Sequence, residues 1–268
     1  LGDVYKRQDQ AVRWTVASDV DGTLTGDRTS LDRLAARFRQ RRADGDLFLI
    51  VSTGRRLEQV IGGILEEGLP EPDAVICQVG TEIYLPPFTK GARPMEAWRA
   101  GLAAQYRRDE ALSFLAGIDG LVMQPDQYNT DLKTSCYLDE CPNPDEAARV
   151  VRDRVRAHAD RYQVVWSSGR DLDLLPAASG KGKAIRFLVE HVGLDPDRVV
   201  VAGDTGNDAS MFLEFGKGIV VANAQPELLE LAQSLGAHRV YRAGQRYAAG
   251  VEEGLEHYGV LDGAAPAR

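Results

Sequence analysis

The chain has 268 residues, 44% of them hydrophobic and 27% charged, with a formal net charge of −8 at pH 7. This composition suits a globular chain with a sizeable core. The acidic balance gives a nucleic-acid role no electrostatic support, and no apolar run approaches the roughly 20 residues of a membrane span.

Leu1 to Gln8 (LGDVYKRQ) lack an initiating Met and fit no element, so residues 1–10 are expected to be a non-native or disordered leader. Trp14 to Ala17 reads as a strand that stops at Asp19-Val20-Asp21-Gly22, two acids one residue apart at a glycine turn. Ser30 is placed to cap a helix from Leu31, in which Leu34, Ala35 and Phe38 recur at helical spacing before Gly45. Leu47 to Val51 is a continuous apolar run, suited to a parallel strand covered on both faces, and it ends in Ser52-Thr53-Gly54-Arg55. A second helix presents Leu57, Val60, Ile61, Ile64 and Leu65 and stops near Gly68. Ala74 to Val79 is a third strand, and Glu82 to Leu85 a short extended piece before Pro86-Pro87. This βαβαβ order predicts an α/β fold with a doubly wound, Rossmann-like parallel sheet.

The middle of the chain breaks that rhythm. Met95 to Ala116 reads as one helix anchored by Trp98, Leu102, Tyr106 and Leu115. Leu121 to Gln124 and Lys133 to Leu138 read as strands, and Asn143 caps a helix with Pro144 as its first residue, running to about Ala159. Tyr162 to Ser167 and Asp171 to Leu175 form a hairpin across Ser168-Gly169-Arg170, its leucines mixed with Asp171 and Asp173 so that one face is wet. These neighbours predict an inserted α+β unit at 89–175, between core segments 11–88 and 176–268. The parallel pattern then resumes. Gly180-Lys181-Gly182-Lys183 opens a helix, and Val199 to Ala202 is a buried strand ending at Gly203-Asp204-Thr205-Gly206-Asn207-Asp208. A helix starting at Met211, a strand at Ile219 to Ala222, a helix at Pro226 to Leu235, an edge strand at Val240-Tyr241 and a closing helix near Tyr247 to Tyr258 complete it, with Gly263 to Arg268 a frayed tail. Cys77, Cys136 and Cys141 make neither an even framework nor a CxxC pair, which predicts buried thiols in a reducing compartment, the cytoplasm.

Four polar clusters sit just after strands or at a helix start: Asp19/Asp21, Thr53, Lys181 and Asp204/Asp208. In a parallel sheet the strand-end clusters emerge at one edge. Two like charges 4 Å apart repel by about 4 kcal/mol at an effective dielectric near 20, so close carboxylates need a cation or raised pKa values. A set of oxygen ligands without His or Cys points to Mg²⁺. A metal-bound aspartate beside a lysine suits attack on a phosphate, with one carboxylate as nucleophile and a second protonating the leaving oxygen. Each signal alone is weaker. A lone DxDG is commonly a turn or a calcium loop, Thr53-Gly54 can simply end a strand, and Lys181 fails the phosphate-loop spacing because Gly182 follows it. GDTGND, two acids and an Asn directly after a buried strand, is the hardest to explain without a ligand.

DVDGT at 19–23, STGR at 52–55, Lys181 in SGKGKA and GDTGND at 203–208 resemble, in kind and order, the motifs of the haloacid dehalogenase superfamily of phosphatases. The insertion after the second motif is similar to that of the Cof-like subgroup with an α/β cap. VGTEIY at 79–84, LKTSCYLD at 132–139, SSGRDLDLLP at 167–176 and NAQPELL at 223–229 resemble the sucrose-6-phosphate phosphatase branch, so the likeness spans roughly Thr15 to Leu261. It implies Asp19 as nucleophile and Asp21 as general acid/base. It implies Mg²⁺ held by Asp19, the main-chain carbonyl of Asp21, Asp204 and, through water, Asp208. Thr53, Gly54, Lys181 and Asn207 would surround the phosphoryl group, and Glu82, Lys133, Ser135, Arg170 and Asp171 would contact the sugar. Related chains often carry Lys where this one has Arg170, and Arg hydrogen-bonds hydroxyls in a fork as Lys does not.

The implied activity is hydrolysis of sucrose 6-phosphate through an aspartyl-phosphate, by a monomer with a sucrose-phosphate synthase as partner. Phosphatases of mannosylfructose phosphate, glucosylglycerol phosphate or an aminosugar phosphate would share the same core residues. A phosphomutase would share the intermediate, and a non-catalytic phosphatase-fold partner of the synthase would tolerate loss of the nucleophile that is kept here. Bland alternatives stand beside the cap residues. Asp171 and Asp173 can be a solvated strand face and Lys133 a surface charge, and Trp98 and Trp166 suit core positions better than sugar platforms.

Overall fold

The computed structural model describes residues 12–261; the leader expected at 1–10 and the tail at 263–268 lie outside the described residues. The apolar runs become strands and the periodic stretches helices. In chain order, β1 (Trp14–Ser18), α1 (Arg28–Ala43), β2 (Leu47–Ser52), α2 (Leu57–Gly62), β3 (Ala74–Cys77) and β4 (Glu82–Tyr84) form the first part. Then come α3 (Glu96–Ala103), α4 (Arg108–Leu115), β5 (Val122–Met123), β6 (Thr134–Tyr137), α5 (Pro144–Val155), β7 (Tyr162–Ser167) and β8 (Asp171–Pro176). The chain closes with α6 (Lys181–His191), β9 (Val199–Gly203), α7 (Ala209–Glu214), β10 (Gly218–Val220), α8 (Pro226–Leu235), β11 (Val240–Arg242) and α9 (Tyr247–His257).

One sheet has seven strands in the order β11-β10-β9-β1-β2-β3-β4, parallel except for β4, which runs antiparallel to β3. Both faces are covered. Leu34 and Phe38 of α1, Leu57 of α2 and Val251 of α9 join the core with Leu49 and Val51; Ile185 of α6, Phe212 of α7 and Leu228 of α8 join the core with Phe48 and Ile50. The chain leaves β1 to build β2 and β3 on one side, and returns to build β9 to β11 on the other. The switch point therefore lies between β1 and β9, whose carboxyl ends open side by side. The second sheet is antiparallel, β5-β6-β8-β7, and is backed by Val151 and Val155 of α5 and Phe114 of α4.

The local differences from expectation have physical causes. Asp27, not Ser30, caps α1: its carboxylate accepts the Ser30 N–H at 3.0 Å, which gains a turn of helix before Leu31. After α2 the backbone opens into a π turn over Gly63–Glu67, which shifts the helical face and leaves Leu65 77% exposed. The single helix expected over Met95–Ala116 is two. The break lets Tyr106 turn inward, where its hydroxyl lies 2.8 Å from Thr134 Oγ1 and donates to the Leu174 carbonyl at 3.1 Å, while the Arg107 N–H donates to Tyr162 Oη. The three cysteines are buried and free. Among the described residues no helix is long and apolar enough to cross a membrane.

Candidate active site

Asp19 follows β1 and its N–H donates to the Ala202 carbonyl of β9 at 3.0 Å, so the first acidic loop starts against the strand that carries the second. Gly22 sits at φ +81°, and a Cβ there would lie 2.3 Å from Asp204 Oδ2. Only glycine lets the two loops meet this closely. Thr23 Oγ1 donates to Asp204 Oδ1 at 3.1 Å, and Asn223 Nδ2 donates to the Gly22 carbonyl at 2.7 Å. Asp208 turns back into its own loop, where one oxygen accepts the N–H groups of Asp204 (2.9 Å) and Thr205 (3.1 Å).

Lys181 opens α6 and is fully buried. The start of α6 packs on α7 backbone to backbone, since a Cβ on Gly182 would lie 2.1 Å from the Ser210 carbonyl oxygen. The ammonium donates to Asp19 Oδ1 at 2.7 Å, Asp208 Oδ1 at 2.6 Å and Asn207 Oδ1 at 2.8 Å. All three of its hydrogens are used. Burial alone would discharge this lysine, but the Asp19 and Asp208 carboxylates outweigh that and raise its pKa. Asp19, Asp204 and Asp208 offer ligand atoms that all lie within 4.8 Å of one another. Burial raises Asp19 well above its ordinary value, with the Asp208 and Asp204 charges acting the same way and Lys181 opposing. Burial, then the Asp208 charge, pushes Asp204 up to about 7. The cluster is short of positive charge and could hold a metal ion.

Asp21 differs from Asp19. Its side chain is 59% exposed and is gripped by Arg55, whose Nη2 and Nε donate to its two oxygens at 2.7 and 2.9 Å. The same guanidinium donates to Glu67 Oε2 at 2.9 Å. Arg55 is the residue that sequence reasoning missed: it stands in the STGR motif, but its partners lie 34 positions before it and 12 after it. Thr53 is buried, and its Oγ1 accepts the Arg55 N–H at 3.1 Å.

A cavity of about 660 Å³ lies between the acidic loops and the antiparallel sheet, lined by Asp19, Asp21, Gly54, Lys133, Arg170, Asp171 and Asn207 among others. The sheet turns its polar face into it. Register pairs Ser135 with Asp173 and Tyr137 with Asp171, while Cys136 and Leu172 face the opposite way. The wet strand face thus opens on the cavity rather than bulk water, and Asp173 is buried, accepting from Lys133 Nζ at 3.2 Å and from Ser135 Oγ. Lys133 is accordingly no surface charge. Arg170 stacks over Tyr137 at 4.5 Å, and Gln124 Nε2 donates to Asp171 Oδ1 at 2.9 Å. Ser135 and Glu82 do not line the cavity; Glu82 accepts the Tyr84 hydroxyl at 2.8 Å. Trp98 is core, donating to the Gly80 carbonyl at 3.1 Å, and neither Trp98 nor Trp166 reaches the cavity.

A parallel sheet with paired acids at the switch point, a buried lysine beside them and an α+β roof defines a haloacid dehalogenase-type hydrolase. A haloacid dehalogenase-like hydrolase from Bacillus subtilis shares the fold, with a TM-score of 0.64 at 18% identity and 93% of each chain covered. Residues 12–259 match the model of one family, sucrose-6F-phosphate phosphohydrolase, and the chain belongs to it. It is a phosphoric monoester hydrolase of the sugar-phosphate class. It is 33% identical to the mannosylfructose-phosphate phosphatase of Agrobacterium fabrum, over 91% of this chain and 96% of that protein. It resembles the structure of the sucrose-phosphatase from Synechocystis sp. in complex with sucrose and phosphate, with a TM-score of 0.83 and 32% identity over 93% of this chain and 99% of that one. It is 29% identical to sucrose-phosphatase 1 of Nicotiana tabacum over 96% of this chain, and spans 61% of that longer protein.

Proposed function

We propose that the protein is a Mg²⁺-dependent phosphatase that hydrolyses sucrose 6-phosphate to sucrose and phosphate. The observation that carries the reading is Lys181, a fully buried ammonium shared between Asp19 and Asp208 at the switch point. Asp19 attacks phosphorus in line, the bond from phosphorus to the sugar oxygen breaks, and Asp21 gives that oxygen its proton. Asp21 then takes a proton from the water that cleaves the aspartyl-phosphate, which frees phosphate and restores Asp19. The Arg55 fork, holding both Asp21 oxygens, fixes the orientation of that side chain for both transfers. Lys181, releasing one of its present acceptors, joins Thr53, Gly54 and Asn207 around the phosphoryl oxygens.

The donor set fits Mg²⁺: three buried carboxyl groups without His or Cys, one of which, Asp204, burial and then the Asp208 charge push up to about 7, so that a cation is needed to keep it ionised. Asp19, the main-chain carbonyl of Asp21, Asp204 and, through water, Asp208 would hold the ion, whose charge would offset the repulsion between the Asp19 carboxylate and the phosphate. The 89–175 segment acts as the cap that selects the sugar, with Lys133, Arg170 and Asp171 facing it and Ser135 and Glu82 holding their neighbours in place. Three buried free cysteines fit the reducing cytoplasm.

A second substrate, mannosylfructose phosphate, is supported by the Agrobacterium relative, which this chain matches over nearly its full length. Phosphate release with Mg²⁺ over sucrose 6-phosphate, mannosylfructose phosphate and glucose 6-phosphate decides between them. A preference for the first is expected, and equal rates on all three would sink the specific substrate. Loss of phosphate release in Asp19→Asn, with folding intact, is the check on the nucleophile.

A further inference from the structure

The NAQPELL stretch at 223–229 contributes no carboxylate to the acidic cluster, yet one of its side chains joins two parts of the molecule. Glu227 stands in the first turn of α8, where an acid ordinarily only balances the helix dipole. Here its Oε1 accepts the backbone N–H of Ser168 at 3.1 Å and that of Gly206 at 3.2 Å. Ser168 is at the tip of the β7–β8 hairpin, in the roof of the cavity. Gly206 lies in the loop between Asp204 and Asp208. One carboxylate oxygen therefore ties the roof to the loop that carries two of the acids.

Two further features show that this junction is built. Ser168 and Gly169 have φ of +57° and +63°, and the Arg170 N–H donates to the Ser167 carbonyl at 3.2 Å, which makes a tight hairpin turn with serine where glycine or asparagine is usual. Such a conformation persists where its surroundings hold it, and Glu227 accepts the N–H of that serine. The turn and the loop also meet closely, since a Cβ on Gly206 would lie 2.7 Å from the Trp166 carbonyl oxygen and 3.1 Å from Glu227 Cγ. On another side of the junction, Gln59 Nε2 donates to Tyr128 Oη at 3.1 Å and Gln78 Nε2 to the Gln127 carbonyl at 3.3 Å. Roof and base are thus fastened by polar contacts from more than one element, and among the described residues the side-chain hydrogen bonds that join the roof to the Gly206 loop run through Glu227.

We propose that Glu227 is a positioning residue that latches the β7–β8 hairpin to the Gly206 loop and so holds the roof closed over the cavity. Glu227 does not line the cavity. The kinetic part of its test rests on the sugar-phosphate reading above; the exchange part does not.

Glu227→Ala removes the shared acceptor, and Glu227→Gln keeps an oxygen that both N–H groups can reach. In amide hydrogen exchange on the unliganded protein, the Ser168 and Gly206 amides should exchange about tenfold faster in the Ala variant and at the wild-type rate in the Gln variant, with the β9 amides unchanged. On sucrose 6-phosphate, KM should rise about tenfold in the Ala variant while kcat stays within about twofold. For p-nitrophenyl phosphate, a small ester that does not need the roof, kcat/KM should hold. Unchanged exchange in the Ala variant overturns the latch. Parallel loss on both substrates, or a Gln variant as impaired as Ala, overturns it too and makes Glu227 a prop of the loop alone. A wild-type enzyme inert toward sucrose 6-phosphate would instead refute the substrate, with the exchange result still deciding the latch.

Discussion

Replacing Asp208 by Asn separates the architecture of the site from its chemistry. Asp208 is fully buried and works in two directions, one oxygen accepting Lys181 Nζ at 2.6 Å and the other the N–H groups of Asp204 and Thr205 at 2.9 and 3.1 Å. An amide has one oxygen. Turned to the backbone, it points its NH₂ at the ammonium; turned to the ammonium, it points its NH₂ at two N–H donors. Breaking one side of a buried ion pair typically costs about 3–5 kcal/mol. Lys181 keeps Asp19 and Asn207 as acceptors, and the loss of one charge relieves Asp19 and Asp204, both of which the Asp208 carboxylate pushes up. A net loss of about 2–3 kcal/mol follows, or roughly 5–10 °C in melting temperature for a chain of this size. Asp19→Asn makes the opposite case. Asn keeps an oxygen for Lys181, and the substitution removes a charge that burial already disfavours, so stability should change by less than about 1 kcal/mol while turnover is lost. Thermal unfolding followed by circular dichroism in EDTA, beside phosphate release, compares the two. If Asp208→Asn melts with the wild type, or both variants lose the same stability, the assignment of Asp208 as the organiser of the loop is wrong.

Other consequences follow from the same geometry. Arg55→Ala should cut kcat by about 10- to 100-fold by freeing Asp21, with a melting temperature near wild type because partly exposed ion pairs are worth at most about 1 kcal/mol; Arg55→Lys should not restore the rate, since it lacks the fork that spans both Asp21 oxygens. Asp204 has a folded pKa of about 7 against an ordinary 3.8, so between these values the folded state binds more protons than the unfolded state, and metal-free stability falls as pH rises through that window. The full effect is bounded at about 4 kcal/mol by 1.36 kcal/mol per unit. Melting in EDTA between pH 5 and 8 should show this fall, Mg²⁺ should offset it at pH 8, and Asp204→Asn should reduce the slope to the part that the likewise raised Asp19 contributes; an equal slope in that variant would assign the effect elsewhere. Gly22→Ala should abolish Mg²⁺-dependent turnover, because the methyl would enter the space of Asp204 Oδ2 at a backbone angle that alanine resists.

The parallel core was readable because strands covered on both faces leave unbroken apolar runs, and Leu47–Ser52 is buried at every position. The acids were readable because charge directly after such a run has no packing explanation. Neighbouring elements decided the rest. Leu65 fits the helical period and is exposed because the turn widens beneath it, and the break before Tyr106 answers partners at Thr134 and Leu174. Arg55 and Glu227 stand within quoted motifs, but their roles have no local signature, since each gains its role from groups that folding brings to it. Asp173 makes the point most sharply. Alternation correctly placed it on the polar face of its strand, but a polar face is solvated or enclosed according to what stands opposite. Here the acidic loops stand opposite, and the same residue that would be a surface charge on an isolated hairpin becomes a buried partner of Lys133 and Ser135. Periodicity therefore names the face, and only topology names what the face can bind.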